Sequence, residues 1–196
     1  MRGKTVGVIG TGRIGAYFIQ LLQGFGVKIL AYDPYPNNEL QKNHSVEYVS
    51  LKKLLQESDI ISLHTPLLDS THHIIDKKAV KLMKTGVYIL NTARGALIDP
   101  EALMWGLEEG VIAGAGLDVL EGEEDIKNPE LVLHQSCGVS SERICLINNL
   151  LIDHPRVIVT PHNAFNSNEA VKRIIDTTIV AVKDFADKKE IRGRVV

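Results

Sequence analysis

No stretch of this 196-residue sequence is apolar for the length that a membrane-spanning helix needs. No basic cluster stands out either, and the formal net charge is −2, so neither nucleic acid nor an anionic membrane surface is expected as a partner. Only two cysteines occur, Cys137 and Cys145, within one polar stretch and with no signal-like leader. They read as reduced thiols of a cytoplasmic protein, and a disulfide-stapled secreted scaffold is excluded. Internal repeats and low-complexity segments are absent, which excludes a repeat array. What remains is a chain with 44% hydrophobic residues, enough for one good core and too short for two large domains. Residues 1–196 are therefore read as one domain, with a less regular insertion at about 120–156.

The rest is organised around Val6 to Gly15, VGVIGTGRIG, a run of apolar β-formers ending in Gly10-x-Gly12-x-x-Gly15. A buried strand that breaks into a glycine turn and then a helix presents backbone N–H groups and a helix N-terminus to phosphate. Gly10 takes the tight turn, Gly12 lets a pyrophosphate approach the backbone, and Gly15 lets helix and strand pack closely. Glycine turns after strands are common, and context decides. A second apolar strand, Lys28 to Tyr32, ends at Asp33, eighteen residues after Gly15, where a carboxylate accepts hydrogen bonds from the adenosine ribose of a dinucleotide.

Strand and helix alternate from there on. Leu51, Leu54 and Leu55 mark a short helix with Ser50 placed as its cap; Ile60 to Leu63 is a strand; Asp76 caps a helix ending near Met83. Val87 to Leu90 runs into Asn91-Thr92-Ala93-Arg94-Gly95. Asp99-Pro100-Glu101 then opens a helix to about Glu109 with an N-cap, a first-turn proline and a first-turn acid. Ile112 to Val119 is a glycine-rich strand, Leu120 to Arg156 shows no clear period, Val157 to Val159 is a last strand, and Asn168 to Lys188 is a long helix. Such alternation predicts an α/β fold, a doubly wound parallel sheet with helices on both faces and ligands beyond the carboxyl ends of the strands. Those ends carry Gly10 to Gly15, Asp33, His64-Thr65-Pro66, Asn91 to Gly95, Asp118 with Glu123, and Thr160-Pro161-His162. A lone polar residue after a strand is usually a turn former. Six segments on one edge, with an arginine, a carboxylate and a histidine among them, are suited to bind an anionic substrate and move a proton.

In order along the chain, GTGRIG, HTP, NTARGALID, AGLDV followed by EGE, and TPHNAF resemble the signatures of the D-isomer-specific 2-hydroxyacid dehydrogenases. The resemblance runs nearly end to end, but only to that family's Rossmann cofactor domain; the substrate domain of relatives is expected to be absent here. The segment between Glu123 and His162 and the phenylalanine of PHNAF are more similar to the D-lactate dehydrogenase branch. The resemblance implies NAD as cofactor and a small 2-oxo or 2-hydroxy acid as substrate, pyruvate and D-lactate first, with a homodimer formed through this domain.

Carried over residue by residue, the resemblance gives Arg94 the substrate carboxylate, which a planar guanidinium grips bidentately. His162 becomes the acid/base, and Glu123 the carboxylate that orients it and favours its protonated ring. Glu123 lies five residues after Asp118, the family's offset, but Glu121 and Glu124 are neighbours, and a merely solvated acidic loop is the alternative. Gly10, Gly12, Arg13, Ile14 and Gly15 are assigned to the pyrophosphate, Asp33 to the adenosine ribose, and Thr65 and Pro66 to the adenine side. Thr71 goes to the phosphate region, though it also reads as ordinary loop structure; Thr92, Ala93, Arg94 and Asp118 lie beside the nicotinamide and its ribose. His64, His72 and His73 raise the question of a metal, but no cysteine or carboxylate is seen to complete a coordination set, so none is expected. A different class stays open, a dinucleotide-binding or redox-sensing module without turnover.

Overall fold

Among the described residues, seven short strands lie side by side, all parallel, in the order β3-β2-β1-β4-β5-β6-β7. They are β1 Thr5–Ile9, β2 Lys28–Tyr32, β3 Val46–Tyr48, β4 Ile60–Leu63, β5 Val87–Asn91, β6 Ile112–Leu117 and β7 Val157–Val159. The computed structural model describes residues 1–123 and 139–187, which form parts of two compact units, Met1–Pro161 and His162–Val196. The first unit holds the whole sheet. Its strand order reverses between β1 and β4, opening a crevice beyond their carboxyl ends.

Alternate side chains of each strand feed two separate cores. Val6 and Val8 of β1, with Ile29 and Ala31 of β2, pack on Ile19 and Leu22 of helix α1, Arg13–Leu22. Ile9, Leu30, Ile61 and Ile89 point the other way, onto α3 Leu51–Glu57, α4 Lys77–Leu82 and α5 Pro100–Glu108 through Leu54, Leu55, Val80, Leu103 and Leu107. Burial on both faces explains the nearly unbroken apolar runs in these strands. The expected doubly wound α/β sheet is what forms.

Local signals set most boundaries. Ser50 accepts from Lys53 N at 3.3 Å, Asp76 from Ala79 N at 2.7 Å and Asp99 from Glu101 N at 2.9 Å, each satisfying an otherwise orphaned first-turn donor. The structure adds a helix and a strand that periodicity did not reveal, α2 Asn38–Asn43 and β3. At three residues, with only Val46 buried, β3 is too short to show alternation and exists because β2 offers it an edge. Part of the segment without clear period is regular: Val139–Ile152 is a helix, α6, placing Leu151 in the core. Residues 124–138 of the expected insertion, with Glu124 and Cys137, lie outside the described residues, as does Lys188.

In the second unit, α7 runs Asn168–Ala186 with Ser167 accepting from Ala170 N at 3.2 Å as its cap. None of its residues is buried.

Candidate active site

The glycine turn between β1 and α1 is shaped by contacts that a methyl group would destroy. Gly10 has φ +92°, and a Cβ there would lie 2.7 Å from the backbone of His64 and Thr65 at the end of β4. A Cβ on Gly15 would overlap the Gly10 carbonyl. Gly12 is the opposite case, with nothing of the protein within 4 Å of where its Cβ would stand. Helix α1 starts there without a side-chain cap, whereas α2, α3, α4, α5 and α7 are each capped by Asn37, Ser50, Asp76, Asp99 and Ser167. An open glycine at an uncapped helix N-terminus leaves room and donors for an anionic group. Arg13 and Ile14 follow it, Ile14 being 71% exposed.

At the end of β2 the Asp33 carboxylate accepts from Thr11 N at 2.7 Å, Thr11 Oγ1 at 3.0 Å and Tyr35 N at 2.8 Å. At the end of β4, His64 Nε2 lies 2.9 Å from Ser62 Oγ, and the imidazole sits 4.9 Å from the Phe18 ring. Burial pushes its pKa down to about 4, so it is neutral at pH 7 and lends no charge to an anion at the turn. Thr65 is half-buried and Pro66 exposed. The Thr71 hydroxyl closes its own loop, donating to Pro66 O at 2.7 Å and accepting from Leu68 N at 2.8 Å.

The loop after β5 is held from inside. Asn91, 1% exposed, donates from Nδ2 to Arg94 O at 2.8 Å and accepts from Ala93 N at 3.0 Å, so one buried amide folds Thr92, Ala93 and Arg94 outward. Thr92 and Arg94 are exposed, and Arg94 Nη1 donates to Ala93 O at 2.7 Å. Gly95 then packs directly on the backbone of Leu120 and Glu121, where a Cβ would overlap both residues. That contact lays the Arg94 loop against the loop carrying Glu123. Buried Asp118 joins the ends of three strands: its N–H donates to Asn91 O at 2.9 Å, and its carboxylate accepts from Thr160 Oγ1 at 2.5 Å.

The loop acids have different surroundings. Glu121 lies 2.7 Å from His73 Nε2 and 3.8 Å from His72 Nε2. Glu123 is half-buried, its N–H donating to Leu120 O at 3.3 Å. Glu121 is thus the carboxylate that sequence reading did not find beside the two histidines, and that ground for expecting no metal is corrected: His72, His73 and Glu121 bring three possible ligand atoms within 4.8 Å of one another. Within this cluster Glu121 is hydrogen-bonded to His73, and the two imidazoles are tilted against each other with centroids 3.9 Å apart. His162 opens the second unit in the left-handed region, φ +52°, its ring edge-on to Phe165 at 6.1 Å.

Residues 1–164 match the family model described as "D-isomer specific 2-hydroxyacid dehydrogenase, NAD binding domain". The chain belongs to this family. Among its relatives, an aromatic 2-oxoacid reductase of Clostridium sporogenes is 41% identical over 194 residues, 98% of this chain and 55% of that protein. A D-lactate dehydrogenase of Treponema pallidum is 39% identical over 92% of this chain and 52% of its own length. Solved structures agree: a D-lactate dehydrogenase from Treponema pallidum superimposes with TM-score 0.85 at 35% identity, over 98% of this chain and 56% of that one. The Lactobacillus jensenii D-lactate dehydrogenase with NAD+ does so with TM-score 0.83 at 36% identity, over 98% and 56%. The chain spans about half the length of the relatives it matches.

In this member of the NAD-binding domain family, the first unit has open space at Gly12 and a pre-oriented carboxylate at Asp33. Two supporting residues belong to the strand-end segment Asn91 to Gly95, but the sequence gives them no role of their own. Asn91 acts by being buried, and nothing in the chain around it announces that. Gly95 looks like one more turn glycine until Leu120 is seen against it.

Proposed function

We propose that this chain supplies the cofactor domain of an NAD-dependent oxidoreductase that interconverts 2-oxo acids and D-2-hydroxy acids, with pyruvate and D-lactate as the first pair to test. The observation that carries the reading is the Gly95 contact, which sets the Arg94 loop and the Glu123 loop side by side at the strand ends that also bear the glycine turn. Bound NADH supplies the hydride. Arg94 grips the substrate carboxylate through two N–H groups, which fixes the orientation of the carbonyl. His162 gives its proton to the carbonyl oxygen as the hydride arrives and takes it back in the reverse direction. Glu123 is assigned to favour the protonated ring, and it is preferred to Glu121 because it lies five residues after Asp118, the offset that the family resemblance gives. Asp33 accepts from the adenosine ribose; Gly10, Gly12, Arg13, Ile14 and Gly15 hold the pyrophosphate; Thr65 and Pro66 wall the adenine. Thr71 stands near the phosphates, and Thr92, Ala93 and Asp118 beside the nicotinamide. No metal enters this chemistry. A cytoplasmic homodimer completes the reading.

The relatives' names span aromatic 2-oxo acids and lactate, so the test uses a panel. NADH oxidation is followed with pyruvate, longer aliphatic and aromatic 2-oxo acids, for this chain alone and joined to a substrate domain from a relative. The expected outcome is NADH binding by both forms and turnover by the joined form, with pyruvate fastest. The chain alone should be slower by several powers of ten, because positioning is worth on the order of 7 kcal/mol or more. NADH binding without turnover by either form would favour a binding or redox-sensing module instead.

A further inference from the structure

Edge strand β3 ends in Tyr48, a half-buried tyrosine that no motif contains. Its hydroxyl lies 3.0 Å from Thr11 Oγ1 and 3.0 Å from the backbone N–H of Asn37. Thr11, 5% exposed, is the residue between the first two glycines of the turn, and its own Oγ1 is 3.0 Å from Asp33 Oδ2. Four groups from four places in the sequence thus form one line: Asn37 N–H, Tyr48 hydroxyl, Thr11 hydroxyl, Asp33 carboxylate.

The direction of every hydrogen bond in this line is forced. A backbone N–H only donates and a carboxylate only accepts. Tyr48 therefore accepts from Asn37 and donates to Thr11, and Thr11 donates to Asp33. With Thr11 N and Tyr35 N also donating, three of the about four lone-pair positions on the carboxylate are filled, two on Oδ2 and one on Oδ1. The carboxyl group is held in one orientation with one acceptor position left on Oδ1. Tyr48 also ties the loop of Pro34 to Asn37 to the glycine turn, so both sides of Asp33 are anchored to the same hydroxyl.

We propose that Tyr48 is a positioning residue for cofactor choice, acting through Thr11 to hold Asp33 where one ribose hydroxyl can donate to it and a 2′-phosphate is repelled. No arginine in Pro34-Tyr35-Pro36 stands by to compensate that repulsion. The inference rests on the assignment of Asp33 to the adenosine ribose and adds to it the device that keeps the carboxylate in place. Hydroxyl networks of this kind act as units, so removing either hydroxyl should release the same constraint.

The experiment measures Kd for NADH and for NADPH by nicotinamide fluorescence, for the unaltered chain and for Tyr48→Phe, Thr11→Val, their double variant, Thr11→Ser and Asp33→Asn. Thermal melting checks that each variant is folded. The unaltered chain should prefer NADH. Tyr48→Phe should lower that preference about tenfold, the scale of one lost hydrogen bond in a chain ending on a charged group. Thr11→Val should lower it similarly, the double variant should match the single ones rather than multiply them, and Thr11→Ser should restore the preference. An unchanged NADH to NADPH ratio in Tyr48→Phe, or equal weakening of both cofactors, overturns the proposal if Asp33→Asn lowers the ratio. If Tyr48→Phe does not fold, an unchanged ratio in Thr11→Val overturns it by itself. An unchanged ratio in Asp33→Asn shows instead that the ribose assignment of Asp33 is wrong.

Discussion

The two ends of the strand-edge crevice are built on different principles. At the β1–β2 end, the glycine turn and Asp33 are separated by twenty-odd residues, and part of what shapes them is local: Gly15 barred from a Cβ by the Gly10 carbonyl, an uncapped helix start, and a backbone donor two positions from the acid, with only the end of β4 against Gly10 and the hydrogen bonds from Thr11 to Asp33 coming from further off. At the β5–β6 end, each functional loop is shaped by the other. Asn91 folds the Arg94 loop, Gly95 seats it on Leu120 and Glu121, and Glu121 reaches back to His73. A motif of the first kind travels as a short pattern, whereas one of the second kind works only when the whole sheet has formed. Away from Gly10 and Gly15, the first end should therefore be robust in stability and sensitive in ligand affinity, and the second should be sensitive in both.

The largest effect expected from breaking that contrast is at Gly95. Gly95→Ala drives a methyl into the backbone of Leu120 and Glu121, where no flexible side chain can give way. It should cost more than about 3 kcal/mol, beyond ordinary overpacking, read as a large fall in the denaturation midpoint. Gly12→Ala is the matched control: with nothing within 4 Å of its Cβ, it should leave the midpoint nearly unchanged and weaken NADH binding. If both variants destabilise equally, the contrast is wrong.

The next effect lies between the two ends, at His64. Burial holds its pKa near 4, below the ordinary value of 6.5, so the unfolded chain binds a proton at that residue where the folded one does not. Stability must then fall as pH drops from about 6.5 to about 4 and stop responding to this residue below that. The full contribution is up to about 3 kcal/mol. Urea midpoints of the unaltered chain and His64→Gln across this range measure it, and parallel curves would show that His64 is not the group responsible.

A smaller loss is expected at Asn91. Asn91→Ala leaves the Ala93 N–H and the Arg94 carbonyl without their buried partner, at a cost of about 2 kcal/mol. Because the Arg94 loop loses its brace while the glycine turn is untouched, NADH affinity should change little. In a form joined to a substrate domain, KM for the 2-oxo acid should rise. Loss of NADH affinity with an unchanged KM would reverse the division between the two ends.

Much of the fold could be read from the residues because its signals act over two to four positions. Ser50, Asp76 and the Asp99-Pro100 pair cap helices where they were expected, and Lys28–Tyr32, Ile60–Leu63 and Val157–Val159 are strands to the residue. Apolar runs bounded by turn residues carry their own evidence, since a strand covered on both faces must be apolar throughout. Strand β3 carried none, because an edge strand with one buried residue has no period to display. The helix at Val139–Ile152 is illegible in the sequence for a related reason, with no strong apolar stripe to mark it.

For the site, the order of residues is enough to say which chemical groups stand at the strand ends: the glycine turn, Asp33, Arg94, and the acids after Asp118. A parallel sheet collects the carboxyl ends of its strands on one edge, so their order along the chain already implied a shared neighbourhood. Packing between distant segments sets how those groups are held. It committed Glu121 to His73, made Gly95 obligatory, buried Asn91 beneath the Arg94 loop, and placed the Tyr48 hydroxyl on Thr11. Each of these joins segments whose separation in sequence has no fixed relation to their separation in space. Spacing encodes hydrogen bonds within a turn of helix or a tight loop, but a contact between loops depends on the register and order of the strands that carry them.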